Sequence, residues 1–105
     1  MSKFKCVGMR VAQSDDGVTV TQMARRQLVY EHGANIMELF KSNEIQSSGR
    51  VLSTIYWPEK PCWLDGRALA PEESVKVRED ISEALLALDC DTIFRREQDS
   101  EILQS

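Results

Sequence analysis

One segment of the chain has a strong helical pattern, and it limits the folds open to the rest. Pro71 suits the first helical position, where no backbone N–H is needed, and Glu72 and Glu73 favour the positive end of the helix dipole. The sequence therefore predicts one helix from Pro71 to about Leu88, with an i, i+4 ion pair between Glu72 and Lys76. The apolar residues at the spacing of one helix face are Val77, Ile81, Ala84, Leu85 and Leu88.

Before this helix the chain consists of short β-like runs. Two turn sequences, Ser14-Asp15-Asp16-Gly17 and His32-Gly33-Ala34-Asn35, separate several of them, and Gly8 weakens the first run or marks a bulge. The polar stretch from Lys41 to Arg50 indicates a loop. A helix over Ile36–Phe40 is the alternative to a strand there. The predicted strands are Phe4–Val11, Val18–Thr21, Gln27–Glu31, Ile36–Phe40 and Val51–Trp57, with a short last strand at Thr92–Arg95.

These elements predict an α+β fold, in which a curved antiparallel sheet of four to six strands packs against one long C-terminal helix. A chain of 105 residues forms one domain, here residues 1–105, and the polar residues 98–105 are expected to fray. The predicted core is Phe4, Val18, Val20, Leu28, Tyr30, Ile36, Leu39, Val51, Ile55, Val77, Ile81, Leu85 and Leu88.

The segment from Ile55 to Ile81, called the joint below, connects the predicted sheet to the helix. Trp57 and Trp63 both lie in it, and its prolines stiffen the loop, which lowers the entropy lost on docking to a partner. Tryptophan is enriched at binding hot spots, and acidic neighbours can pair with a basic partner. The alternative is that both tryptophans cover the sheet. The predicted partner-binding residues are Trp57, Glu59, Trp63, Asp65, Glu72 and Glu73.

The charge is unevenly distributed along the chain. Residues 1–52 carry seven Lys or Arg and five Asp or Glu, whereas residues 53–105 carry six and twelve, a net of −6. An acidic half repels nucleic acid and membrane surfaces and attracts basic partners. The basic doublets Arg25-Arg26 and Arg95-Arg96 do not make the larger patch typical of nucleic-acid binding. The longest apolar run, Ala84–Leu88, is far too short to span a membrane, and the first residues have no apolar leader, so a cytoplasmic protein is expected.

Motifs of catalysis and cofactor binding are missing from the sequence. It has no Gly-rich phosphate loop, no GxSxG and no HExxH. His32 is the only histidine, and the cysteines Cys6, Cys62 and Cys90 are too far apart in the chain to suggest a zinc site or a disulfide framework. We therefore expect no cofactor, no metal and no enzymatic activity. A hydrolytic or small-molecule site that uses His32 with a carboxylate is the weakest of the alternatives.

The chain contains the segments Leu28-Val29-Tyr30-Glu31-His32-Gly33, Ile55-Tyr56-Trp57-Pro58 and Ala70-Pro71-Glu72-Glu73 in this order. With them, residues 27–90 resemble small immunity proteins of bacterial polymorphic-toxin systems, of the kind encoded beside contact-dependent growth-inhibition toxins. The resemblance implies a stoichiometric inhibitor, in which a small acidic domain blocks the basic active site of a cognate nuclease in the cytosol. It transfers no catalytic residues. The alternative is a small adaptor or regulatory domain that dimerises through a sheet edge. The matching segments are Leu28-Val29-Tyr30-Glu31-His32-Gly33, Met37-Glu38-Leu39, Ile55-Tyr56-Trp57-Pro58, Ala70-Pro71-Glu72-Glu73 and Ile81-Ser82-Glu83-Ala84-Leu85.

Overall fold

The computed structural model describes residues 3–24 and 26–96, and over these ranges the chain has an α+β fold. Seven strands form one sheet in chain order, and one helix, α1, packs on its inner face. Within the described ranges no helix is long and apolar enough to cross a membrane. The elements are β1 (Phe4–Gly8), β2 (Val11–Ser14), β3 (Val18–Ala24), β4 (Gln27–His32), β5 (Asn35–Ile45), β6 (Val51–Trp57), α1 (Pro71–Ala87) and β7 (Cys90–Arg96).

The α+β class is confirmed, but the predicted four to six strands and the C-terminal position of the helix are wrong. The first predicted strand, Phe4–Val11, is in fact the β1–β2 hairpin, in which Gly8 pairs with Val11. Met9 lies at its tip and is 96% exposed. The alternating apolar residues here do not mark a buried face, so the pattern concealed the turn. The bulge predicted at Gly8 is confirmed by the register shift between Cys6 and Gly8.

The loop predicted from Lys41 to Arg50 is also wrong in its first half, because β5 continues to Ile45. The Lys41 side chain is buried on the inner face, and its backbone N–H donates to the Arg26 carbonyl at 3.0 Å. A polar sequence therefore concealed a strand. The turn at Gly33 is confirmed: Gly33 has a φ of 63°, and the strands on either side of it pair directly, which excludes the helical alternative for Ile36–Phe40.

The last strand departs from the predicted antiparallel sheet. Because α1 carries the chain back along the sheet, β7 runs parallel to β6, and their residues pair from Val51 with Cys90 to Trp57 with Arg96. The short strand predicted at Thr92–Arg95 is extended by a residue or more at each end. Asp89, with a φ of 63°, makes the tight change of direction between α1 and β7.

The core lies between α1 and the inner face of the sheet. Most of the predicted core residues are buried, whereas Ile36, Val51 and Leu88 are half-buried. The prediction that Ile36 belongs to the core is wrong, because side chains alternate between the two faces along a strand. Met37 and Leu39 point inward, so Ile36 lies on the outer face, the side of the sheet away from α1. The core also includes Ala12, Met37, Trp63, Ala84 and Cys90.

Candidate functional site

The part of the joint between β6 and α1 folds back on the sheet as a small turn. Cys62 and Ala68 form a β-bridge, and the Trp63 N–H donates to the Arg67 carbonyl at 2.8 Å. The Leu64 N–H donates to the Ile36 carbonyl at 2.7 Å, which attaches the turn to β5. Together these bonds hold Trp63 over the core.

Three of the predicted partner-binding residues make contacts within the molecule itself. Trp63 is 5% exposed, and its ring stacks on Tyr30 with centroids 6.2 Å apart, so it belongs to the core and not to a binding surface. Asp65 accepts hydrogen bonds from the Arg67 backbone N–H and side chain, and these bonds hold the pKa of Asp65 below its ordinary value. Glu73 accepts the Ala70 N–H at 2.8 Å and thereby stabilises the start of α1.

The other predicted residues stay accessible. Glu59 and Glu72 are exposed, and Trp57 is half-buried. The Trp57 ring meets Phe94 edge to face, with centroids 6.0 Å apart. The Arg78 guanidinium lies 5.5 Å from the centre of the same ring, within the range of a cation–π contact. Trp57 thus belongs to a cluster between α1 and β7.

An open depression of about 430 Å³ lies beside this cluster, and we call it the α1–β7 groove. Phe94 of β7 lines the groove with an apolar ring, and α1 lines it with the carboxylates of Glu79 and Glu83. Val75 and Leu86, on the same side of α1, are 46% and 54% exposed. The residues that line the groove are Val75, Arg78, Glu79, Ser82, Glu83 and Phe94.

The exposed surface of α1 has its own regular pattern, which we call the acidic stripe. Its members recur at three- and four-residue intervals on the side of the helix opposite the buried residues. The stripe mixes carboxylates with apolar side chains, and three of its members, Val75, Glu79 and Glu83, also line the α1–β7 groove. Its members are Glu72, Val75, Glu79, Glu83 and Leu86.

The opposite side of α1 carries a buried polar network around Asp80. The Asp80 carboxylate accepts the Tyr30 hydroxyl at 2.8 Å and lies 2.6 Å from the Lys76 Nζ and 3.0 Å from the Lys3 Nζ. Asp16 lies within 3.8 Å of both lysines and also accepts the Ser14 hydroxyl. The Asp80 side chain is only 3% exposed, so these partners replace the water that it loses on folding.

The network changes the titration of its members. Burial by itself would raise the pKa of Asp80, but the hydrogen bonds from Lys76, Tyr30 and Lys3 outweigh it, and the pKa lies below its ordinary value. Burial and the bond to Asp80 raise the pKa of Tyr30 far above its usual range. Asp80 is therefore ionised and Tyr30 neutral near pH 7. Because the groups bind one another, the network connects α1 to β4 through Tyr30 and to Lys3, the residue before β1.

The sequence carries a sign of this network. Asp80 lies three residues after Val77 and four before Ala84, within the apolar face of the helix, where a carboxylate needs buried partners. The prediction of an ion pair between Glu72 and Lys76 is wrong, since the ion pairs among the described residues do not include it. Lys76 turns to Asp80 instead, because there it neutralises a buried charge.

The residues considered for other chemistry are dispersed. His32 is half-buried at the end of β4 and pairs with Asn35 across the β4–β5 turn. Cys6 and Cys62 are exposed, and Cys90 is buried. In the part of the chain that the structure describes, no group of three or more His, Cys, Asp or Glu could hold a metal ion.

Comparison of the chain with models of protein families, with curated proteins and with solved structures finds no match. The site must therefore be interpreted from its own geometry.

Proposed function

We propose that this protein is an immunity-type inhibitor: it binds a basic bacterial toxin, in particular a nuclease, and neutralises it by covering the active site or substrate groove. The α1–β7 groove and the acidic stripe form the contact surface. The observation that carries the proposal is the row of carboxylates beside an apolar groove on the exposed side of α1. The proposed inhibitor acts in the cytoplasm, needs no cofactor and does not bind nucleic acid or membranes itself.

The carboxylates suit such a partner. Glu72, Glu79 and Glu83 place negative charge along one line of the helix surface, as the backbone of a nucleic acid does. A nuclease groove that attracts phosphates attracts this row as well. Charge of this kind mainly accelerates association and selects the partner, and its effect decreases with added salt.

The apolar side chains supply the short-range part of the interaction. Val75 and Leu86 lose exposed surface when a partner covers the stripe, which contributes roughly 25 cal/mol per Å². The Phe94 ring lines the groove, and the Trp57 ring packs against it edge to face. An apolar centre with a charged rim is the usual arrangement of a protein–protein interface.

The experiment is co-expression with the product of the reading frame directly upstream. We expect the two proteins to co-purify at a one-to-one ratio and the nuclease activity of the partner to disappear at that ratio. The variant Glu79→Lys/Glu83→Lys tests the contact surface: it should co-purify poorly although it folds normally by circular dichroism. Failure of the wild-type protein to bind at sub-micromolar affinity would refute the proposal.

The alternative function, a small adaptor or regulatory domain that dimerises through a sheet edge, is supported by a different observation. Among the described residues, β7 pairs on one side only. An adaptor of this kind would bind its partner without any effect on nuclease activity, and the co-expression experiment therefore separates the two functions.

A further inference from the structure

Among the residues that the structure describes, the outer edge of β7 is a regular pairing edge without a neighbouring strand. Within residues 3–24 and 26–96, β7 pairs only with β6, through seven consecutive residue pairs without a register shift. In a regular strand about half of the backbone N–H and C=O groups point away from the neighbouring strand. Such groups are a template for another strand, and native proteins usually protect them.

The other edge of the same sheet shows such protection. β1 has five residues, and a register shift between Cys6 and Gly8 interrupts its pairing with β2. Short edge strands and bulges are two of the devices that prevent edge-to-edge association. β7 has seven residues, no proline and no bulge. Charged side chains are a third such device, and those of β7, Asp91 and Arg95 among them, limit which strand can pair with it.

The sequence of β7 is complementary to itself in the antiparallel direction. If two copies pair with Ile93 at the centre, Ile93 faces its own counterpart, and Asp91 lies opposite Arg95 of the second copy. These three side chains are two residues apart and therefore all lie on the outer face, where Ile93 is 38% exposed. Asp91 is 40% exposed and already bound to Arg50 at 3.2 Å, so its carboxylate is accessible and can accept a second cation.

We propose that two copies of this chain associate through their β7 strands, antiparallel and centred on Ile93, to form one continuous sheet. The two-fold axis then stands perpendicular to the sheet, and both α1 helices lie on the same face. The two α1–β7 grooves join above the central strands, and the acidic stripes flank them. The proposal does not rest on the proposed function, because the dimer contacts are backbone groups and outer-face side chains of β7 and are tested without any toxin.

The experiment is sedimentation velocity of the full chain and of charge variants at β7. We expect the wild-type dimer to have a dissociation constant on the order of 10 µM, as a small interface gives. The variants Arg95→Asp and Asp91→Arg each place like charges opposite one another twice in the dimer. Each should weaken dimerisation about tenfold on its own.

Mixing the two variants gives the sharpest result. In the mixed pair every carboxylate again faces an arginine, so a heterodimer should form with wild-type affinity although each variant alone dimerises about tenfold more weakly. The control is Lys5→Asp on β1, which should leave the association unchanged. A wild-type chain that stays monomeric at about 100 µM would overturn the proposal. So would a dimer that neither variant weakens, or variants that do not restore association when mixed.

Discussion

The two flanks of α1, one towards β1 and β4 and the other towards β7, are built in opposite ways. Towards β1 and β4 the helix is closed by Asp80, whose carboxylate is buried among Tyr30, Lys3 and Lys76. Towards β7 it leaves the α1–β7 groove open, with Val75 and Glu79 exposed and Glu83 half-buried. On the first side the polar groups bind one another within the molecule. On the second side they can contact another molecule. We therefore assign stability to the first side and recognition to the second.

The two tryptophans give the largest expected losses of stability. Trp63→Ala should lower the free energy of unfolding by about 4 kcal/mol, because it removes a buried ring that stacks on Tyr30. Trp57→Ala, on the groove side, should cost about 2 kcal/mol, since the ring is half-buried and loses mainly its contacts with Phe94 and Arg78. Urea unfolding measures both, and equal losses would contradict the comparison.

Two neighbouring acidic residues test the same contrast on the helix itself. Asp80→Ala should cost about 3 kcal/mol, since two lysines and the Tyr30 hydroxyl lose a buried partner. Glu79→Ala, one residue earlier and on the groove side, should change stability by less than about 0.5 kcal/mol. Tyr30→Phe should cost about 1 kcal/mol. If Asp80→Ala were as mild as Glu79→Ala, the network would not stabilise the fold.

The acid dependence of stability should be specific to the closed side. The pKa of Asp80 is lower in the folded chain than its unfolded value near 3.8, so its contribution is present above that pH and is lost as the pH falls through the folded pKa. The variant Asp80→Asn lacks this titration. Thermal unfolding at several pH values should therefore show the wild-type advantage shrinking below about pH 4. Asp16 shares Lys3 and Lys76 with Asp80, so the comparison is made with Asp16→Asn in both proteins, which removes the Asp16 titration from the difference. An advantage independent of pH would exclude the ionised carboxylate as the cause.

The sequence predicted the elements whose pattern is local. Val77, Ile81 and Leu85 mark α1 by spacing alone, and Gly33 marks the β4–β5 turn, because both depend on neighbours in the chain. The direction of β7 depends on where α1 releases the chain, and no pattern within β7 shows that. The tip of the β1–β2 hairpin was missed because Val7 and Met9 alternate as strand residues do, although both are exposed.

The candidate site divides in the same way. Asp80 could have been identified from its position on the apolar helix face, since a carboxylate there implies partners. The groove could not, because it joins Phe94 to Val75, residues that are brought together only when β7 returns along the sheet. Trp63 shows the reverse case: its residue type suggested an interface, whereas the turn that attaches it to β5 places it in the core.

The most direct test of the open side is the association rate with the product of the upstream reading frame. Two matched variants each remove two negative charges: Glu79→Gln/Glu83→Gln on the groove side, and Glu31→Gln/Glu44→Gln on the outer face of the sheet. We expect the first to lower the association rate constant about tenfold at low salt and much less at high salt. The second should change it by less than about twofold at either salt concentration. Equal losses for both variants, or a loss that does not depend on salt, would contradict the assignment of recognition to the groove side of α1.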